Sequence, residues 1–166
     1  MTGEESFIGY WIKKYELRFS REREERVYMG YCIEMTDSKF VIKKENFQKA
    51  LDNFKSVFVP ENMTCIDYIG HKYEPHFRWV DTNRALNSKT LEDVLIEIRY
   101  KPFFNANGDI VQVEFTGEKY GDEYTFFSAL APYVEDGSCL GFEGEDGLKW
   151  EWRFNQGKVE KINQPT

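Results

Sequence analysis

The stretch Leu148-Lys-Trp-Glu-Trp-Arg-Phe154 alternates without a break between apolar and charged side chains. Because successive side chains of a strand point to opposite faces, this period of two predicts a strand. Its buried face is expected to carry Leu148, the two tryptophans and Phe154. The charged residues between them would face water.

Turn sequences lie on both sides of this strand, Glu145-Asp-Gly147 before it and Asn155-Gln-Gly157 after it. Turns this short connect antiparallel neighbours. We therefore expect further strands over residues 138–144 and 158–162. Together the three strands predict an antiparallel meander at the C-terminal end of the chain.

Helices are predicted in three places. Residues 45–58 carry an apolar stripe at helical spacing, Thr90-Leu-Glu-Asp93 resembles a capping box that opens a short helix, and Asp122 could cap a third. The inner faces of these helices are assigned to Phe47, Ala50, Leu51, Phe54 and Phe58, to Leu91, Val94, Leu95 and Ile98, and to Tyr124, Phe127, Leu130 and Ala131.

Two further hairpins are expected, one from residues 7–19 and 27–35 and one around Asn107-Gly108, with Val111, Val113 and Phe115 facing the core. Residues 60–87 show no clear hydrophobic periodicity. They are expected to form either a functional loop or a secondary-structure element that the sequence pattern does not reveal. The fold class is therefore α+β: one domain, with a mainly antiparallel twisted sheet of about five to seven strands and about three helices on one face. Residues 1–28 are assigned to an added N-terminal strand and charged arm, and residues 29–166 to the domain itself.

Size and charge exclude several classes of protein. A chain of 166 residues suits one core that removes roughly 70% of the unfolded surface from water. The net charge of −7 argues against a protein that binds the DNA phosphate backbone over a broad surface. No apolar run reaches the ~18 residues of a membrane span. Three widely spaced cysteines favour reduced thiols. We expect a cytoplasmic protein.

Sequence motifs for catalysis or cofactor binding are missing. The chain has no phosphate-binding loop, no dinucleotide-binding glycine motif, no His-Glu-x-x-His and no paired cysteines. Only two histidines are present, and nothing around them marks a nucleophile. The sequence therefore predicts a protein that is not an enzyme, with no catalytic residues, no metal and no cofactor.

From Met29 onward the chain resembles a type of small, functionally uncharacterised protein of bacteria and their phages. The stretches that carry the resemblance are Gly30-Tyr-Cys-Ile-Glu34, Asp37-Ser-Lys-Phe-Val-Ile-Lys-Lys-Glu-Asn46, Arg78-Trp-Val-Asp81, Thr90-Leu-Glu-Asp-Val94, Gly108-Asp-Ile-Val111, Glu114-Phe-Thr-Gly-Glu-Lys119, Ala129-Leu-Ala-Pro-Tyr-Val-Glu-Asp-Gly-Ser138, and Gly144-Glu-Asp-Gly147 with Trp150 to Phe154. Such proteins begin near Gly30, so the resemblance implies that residues 1–28 are an addition. It implies a bacterial or phage origin and supplies no activity.

The first functional hypothesis is a small acidic protein-binding module, phage-encoded, that inhibits a host nucleic-acid-handling or defence protein in the manner of an anti-CRISPR. Residues 101–166 carry a net charge of −6, and an acidic surface binds a basic one through complementary potential. The expected contacts on the acidic face are Glu143, Glu145, Asp146 and Glu151. Those on the N-terminal arm are Lys13, Lys14, Arg18, Arg21 and Arg23. The expected partner is a host protein with a basic surface, and a homodimer is an open alternative.

The second hypothesis is a protein that binds or sequesters a small ligand such as a nucleotide signal. Aromatic walls with a few directed polar groups are typical of ligand sites. The candidate loop contains His71, His76, Trp79, Asp81 and Arg84. A third and weaker hypothesis is a hydrolase or transferase that uses a carboxylate or histidine pair.

Overall fold

The computed structural model describes residues 30–165 of the chain. The strand predicted over residues 7–19, its pairing with the next segment and the charged arm all lie outside the described residues. Everything below concerns the described part.

Eight strands lie in the described part of the chain: β1 Ile33–Lys39, β2 Cys65–Ile69, β3 Lys72–His76, β4 Tyr100–Phe104, β5 Ile110–Phe115, β6 Cys139–Gly144, β7 Lys149–Asn155 and β8 Lys158–Asn163. Every pairing between them is antiparallel. The α-helices of the same part are α1 Phe47–Ser56, α2 Thr82–Asn87, α3 Leu91–Glu97 and α4 Glu123–Leu130. Short 3₁₀ turns occupy Lys44–Asn46, Pro60–Asn62 and Ala131–Tyr133. The α+β class with antiparallel strands is thereby confirmed.

The main sheet contains four strands in the order β1-β6-β7-β8. Strands β6, β7 and β8 form the meander predicted from the alternating stretch, and β1 joins its outer side by pairing with β6. Trp150, Trp152 and Phe154 are buried as expected. Leu148 is 51% exposed, because it belongs to the turn before β7 and not to the strand.

Division into three sheets is the main difference from the expected single sheet. Strands β2 and β3 form one separate hairpin, and β4 and β5 form another. A β-bulge between Phe103 and Phe104 shifts the register of β5, so that Ile110 and Val113 are buried and Val111 is only half-buried. The prediction that Val111 faces the core was wrong for this reason.

The predicted helices are present, with one change of face. Thr90 and Asp93 form the capping box, each side chain bonded to the backbone N–H of the other residue. In α4 the buried stripe begins at Glu123 and continues through Phe126, Phe127 and Leu130. Tyr124, expected on the inner face, is 61% exposed. A buried carboxylate occupies the position where the pattern called for an apolar residue.

The segment expected to be irregular, residues 60–87, contains the β2–β3 hairpin and helix α2. The hairpin turns at Gly70-His71 with both φ angles positive, +54° and +68°. Two-residue turns of this kind normally carry Asn-Gly or a similar pair, and histidine in the left-handed region is uncommon. The turn signal was therefore weak in the sequence.

One hydrophobic core joins the elements. It contains residues of β1, of α1, α3 and α4 and of the meander, and the Phe126 ring contacts the rings of Phe54, Phe58 and Phe77. Residues 31–165 accordingly form one compact unit.

Candidate functional site

A cleft of about 470 Å³ opens beside the end of the main sheet where β1 begins and β6 ends. Four glutamates line it: Glu34 of β1, Glu118 of the loop after β5, Glu143 of β6 and Glu145 of the β6–β7 turn. Cys32 and Ile33 line the cleft between them. Three separate segments of the chain thus bring glutamate residues to one cleft.

Backbone hydrogen bonds hold these segments together. The amide of Ile33 donates to the carbonyl of Glu118 at 2.9 Å, and the amide of Glu145 donates to the carbonyl of Cys32 at 3.0 Å. The amide of Tyr120 in turn donates to Tyr31 at 2.8 Å. Residues 31–33 are therefore hydrogen-bonded both to the loop of Glu118 and to the turn of Glu145, so the backbone of all three segments is held in place.

Glu34 and Glu143 are direct cross-strand partners in the β1–β6 ladder. Side chains in such a pair have Cβ atoms about 4.5–5.5 Å apart, and like charges there destabilise the sheet. Lys149 of β7 partly offsets this repulsion, because its Nζ lies 3.4 Å from the Glu143 carboxylate. The row still carries two negative charges and one positive charge.

Tyr31 and Asp146 close one side of the site. The Tyr31 hydroxyl donates to the Asp146 carboxylate. Burial, followed by this hydrogen bond, raises the pKa of Tyr31 to about 12. The same bond, with a second from the Leu148 amide, lowers the pKa of Asp146. Glycine is required at position 144, because a Cβ there would overlap the Tyr31 ring.

A buried ion pair between Arg99 and Glu123 holds the loop that contains Glu118. Glu123 is 1% exposed, and its carboxylate lies 3.3 Å from Arg99 Nη2 and accepts from the Gly121 amide at 2.7 Å. Burial raises the pKa of Glu123, and Arg99 opposes that rise. Arg99 also donates to the carbonyl of Lys119 at 2.6 Å. This network positions the loop and does not face the cleft.

The four residues predicted for the acidic face do not all meet. Glu143 and Glu145 line the cleft, and Asp146 lies beside it in its bond to Tyr31. Glu151 lies on the outer face of β7, where it pairs with Arg153. The arm residues Lys13, Lys14, Arg18, Arg21 and Arg23 lie outside the described residues.

Sequence reasoning missed Glu34 and Glu118. The alternation of β1 does put Glu34 on the side opposite Ile33, but its partner Glu143 is more than a hundred positions away. Glu118 lies in a loop without any periodic signal. Only the strand pairing brings either residue to the cleft.

The structure gives each residue of the alternative ligand loop a different place. His71 lies in the hairpin turn, whereas His76 ends β3 and contacts Asp67 at 3.2 Å. Asp81 accepts from the Arg84 amide at 3.0 Å and thereby caps α2.

Trp79 is half exposed and adopts a positive φ of +61°. Its indole N–H donates to the Tyr120 carbonyl at 3.2 Å, and Lys119 Nζ lies 5.5 Å from the centre of its ring. None of the five loop residues lines the cleft beside β1 and β6.

Within residues 30–165 no group of three or more His, Cys, Asp or Glu side chains is arranged to hold a metal ion. None of the helices described there is long and apolar enough to cross a membrane. Comparisons with family models, with curated proteins and with solved structures produced no match. The cleft geometry is thus the basis for a functional proposal.

Proposed function

We propose that this chain is a small acidic protein-binding module that takes a basic segment of a partner protein into the cleft. The observation that carries the proposal is the convergence of Glu34, Glu118, Glu143 and Glu145 on one concave surface. Lysine and arginine side chains are the natural occupants of such a site. Arginine in particular binds carboxylates through paired hydrogen bonds.

The repulsion between Glu34 and Glu143 supports a functional role. A like-charge pair in the ladder works against the stability of the sheet, and sequences break such local rules chiefly at functional sites. A cation from outside would relieve the repulsion that Lys149 offsets only in part. Relief of the repulsion between Glu34 and Glu143 would then contribute to the free energy of binding.

Charge also decides the class of partner. Four carboxylates repel a phosphate backbone, and the net charge of the chain is −7, so nucleic acid is a poor occupant. A protein surface that itself binds phosphate groups is basic and therefore complementary. We accordingly propose an inhibitor that covers the basic surface of a nucleic-acid-handling or defence protein of a bacterial host. The choice of a bacterial host follows from the expected resemblance to small proteins of bacteria and phages, which remains a prediction.

The test is a pull-down with the full chain from a nuclease-treated bacterial lysate, with bound proteins quantified by mass spectrometry. We expect one protein with a basic surface to be retained at low salt and released at high salt, because screening shortens the range of the attraction. The double variant Glu34→Gln/Glu143→Gln should retain it about tenfold less well.

Glu92→Gln/Glu160→Gln is the matched control. It also removes two negative charges, but Glu92 lies on helix α3 and Glu160 on edge strand β8, and neither residue lines the cleft. Its retention should equal that of the wild type. Equal retention by the cleft variant, or retention that is indifferent to salt, would refute the proposed site.

A further inference from the structure

The β2–β3 hairpin has two chemically different faces. Directly opposed residues of antiparallel strands share a face, and successive residues alternate. The pairs Ile66 with Pro75 and Tyr68 with Tyr73 therefore lie on one face. The pair Asp67 with Glu74 lies on the other.

The apolar face continues the hydrophobic core outward. Phe77, two positions after Pro75, is fully buried and contacts Phe58 and Phe126. Ile66 and Pro75 are half-buried, and Tyr68 and Tyr73 beyond them are 60% and 59% exposed, with ring centres 5.0 Å apart. The outer end of this stripe is thus an aromatic pair in contact with water.

The opposite face carries a second like-charge pair. Asp67 and Glu74 are cross-strand partners, as Glu34 and Glu143 are in the main sheet. His76 at the base lies 3.2 Å from Asp67, and the pair Ile69 with Lys72 follows toward the tip. Two carboxylates therefore oppose each other midway along one face of the hairpin, and the other face is apolar and aromatic.

We propose that this hairpin inserts into a groove of the same basic protein whose segment enters the acidic cleft, with an apolar wall against Tyr68 and Tyr73 and a lysine or arginine opposite Asp67 and Glu74. The inference rests on the proposed function, because it gives that partner a second point of contact. The carboxylates of Asp67 and Glu74 require a basic wall by charge complementarity. The exposed rings of Tyr68 and Tyr73 require an apolar wall.

A second copy of this chain does not fit the hairpin equally well. An aromatic side chain covers about 150–250 Å², so the exposed parts of Tyr68 and Tyr73 offer roughly 200–300 Å² together. A specific interface needs about 800 Å² on each partner. Two hairpins that faced each other through their tyrosines would leave Asp67 and Glu74 of both copies on the outer faces, with no contact to a partner. A groove that encloses both faces uses the hairpin more fully.

The two contacts would divide the work of binding. Complementary charge chiefly raises the rate of association and selects the partner, and it is screened by salt. Aromatic side chains that become fully buried chiefly slow dissociation and dominate alanine scans. The cleft and the hairpin would therefore differ in how salt affects them.

The test places a photo-crosslinking amino acid, p-benzoylphenylalanine, at Tyr68 in the full chain and irradiates it in a nuclease-treated bacterial lysate. Ile96→p-benzoylphenylalanine is the control, since Ile96 is 52% exposed on α3. We expect Tyr68 to crosslink to the salt-released protein of the pull-down, within a peptide that contains apolar residues next to Lys or Arg. The variant Tyr68→Ser/Tyr73→Ser should retain that protein about tenfold less well, with an unchanged melting temperature.

The outcomes separate the hairpin from the cleft. Full retention by Tyr68→Ser/Tyr73→Ser, or a crosslink between two copies of this chain, would overturn the hairpin inference and leave the cleft proposal intact. Loss of the partner in the tyrosine variant with full retention in Glu34→Gln/Glu143→Gln would instead overturn the cleft and leave the hairpin as the docking element. Crosslinking at Ile96 as strong as at Tyr68 would count against the hairpin as a specific contact.

Discussion

The like-charge pair Glu34 and Glu143 at the cleft lowers the stability of the sheet in which it lies. Glu34 faces Glu143 across the β1–β6 ladder, whereas Glu160 faces Arg153 across β7 and β8. The two glutamates share a sheet and a solvent-facing side but differ in the charge of the partner. They therefore provide an internal comparison of repulsion with attraction.

Glu34→Gln should raise the free energy of unfolding by about 0.2–1 kcal/mol at low salt, because it removes the like-charge pair. Glu160→Gln should lower it slightly, because it removes an opposite-charge pair. Urea unfolding at two salt concentrations measures both, and the two changes should shrink as salt screens the charges. A loss of stability in Glu34→Gln would show that Glu34 has a stabilising partner and would contradict the charge argument.

Tyr31→Phe should raise the pKa of Asp146 toward its usual value of 3.8, because the hydroxyl that stabilises the carboxylate is gone. A carboxyl whose pKa is lowered in the folded state stabilises the fold above its unfolded pKa and loses that effect as pH falls through the folded value. The difference in stability between wild type and Tyr31→Phe should therefore be full at neutral pH and fade below about pH 3.8.

The measurement is a carbon-detected NMR titration of the Asp146 carboxyl, combined with urea unfolding at pH 7 and pH 3. Tyr124→Phe serves as the control, since Tyr124 is exposed on α4. An Asp146 titration curve identical in wild type and Tyr31→Phe would show that the hydrogen bond has no energetic weight.

Among the elements, edge strand β8 carries a charge on its core-facing side. Lys161 is the cross-strand partner of the buried Trp152, and its Nζ lies 4.5 Å from the centre of the Trp150 ring. Burial lowers the pKa of Lys161, and Glu123 opposes that change. Lys161 as a whole residue is exposed, and a charged lysine on an edge strand discourages pairing with another sheet edge.

Lys161→Ile should accordingly increase self-association, because β8 would then offer an apolar edge. Sedimentation velocity over a range of protein concentrations should show a steeper rise in sedimentation coefficient than for the wild type. Lys161→Arg keeps the charge and should behave as the wild type does. Coinciding curves for Lys161→Ile and the wild type would mean that the edge is protected by something other than this lysine.

Elements with a strong local signal were predicted well. The alternation of residues 148–154, the helical stripe that includes Phe47 and Phe54, and the Thr90 capping box each lie within a short window of sequence. The β2–β3 hairpin was missed because histidine occupies a left-handed turn position. The start of α4 was misread because Glu123 is buried against Arg99 instead of facing water.

For the molecule as a whole, the cleft depends on contacts that the sequence does not announce. Pairing of β1 with β6 joins Glu34 to Glu143, and the amide of Ile33 fixes the loop of Glu118. Composition could indicate an acidic face, and Glu143 and Glu145 of the predicted set both line the cleft. It could not exclude Glu151, whose partner Arg153 lies two positions along the same strand.

The same long-range contacts link the cleft to the hairpin. Asp122 was expected to cap α4, but its side chain makes no cap hydrogen bond there. It accepts instead from Thr64 at 2.8 Å and from the Arg78 amide at 2.7 Å, so it ties both ends of the hairpin segment to the loop of Glu118. The two proposed contact surfaces are thus carried on one connected set of segments. A partner could meet both without a rearrangement of the core.

The most direct test of the cleft is an NMR titration of the isotopically labelled full chain with a deca-arginine peptide. Shift changes should concentrate at residues 32–34, 117–118 and 143–145, and they should disappear in Glu34→Gln/Glu143→Gln and at about 0.5 M NaCl, where screening acts within a few ångströms. Shift changes spread evenly over other carboxylates such as Glu92 and Glu160, and equally large in the double variant, would contradict the assignment of the cleft as the binding site.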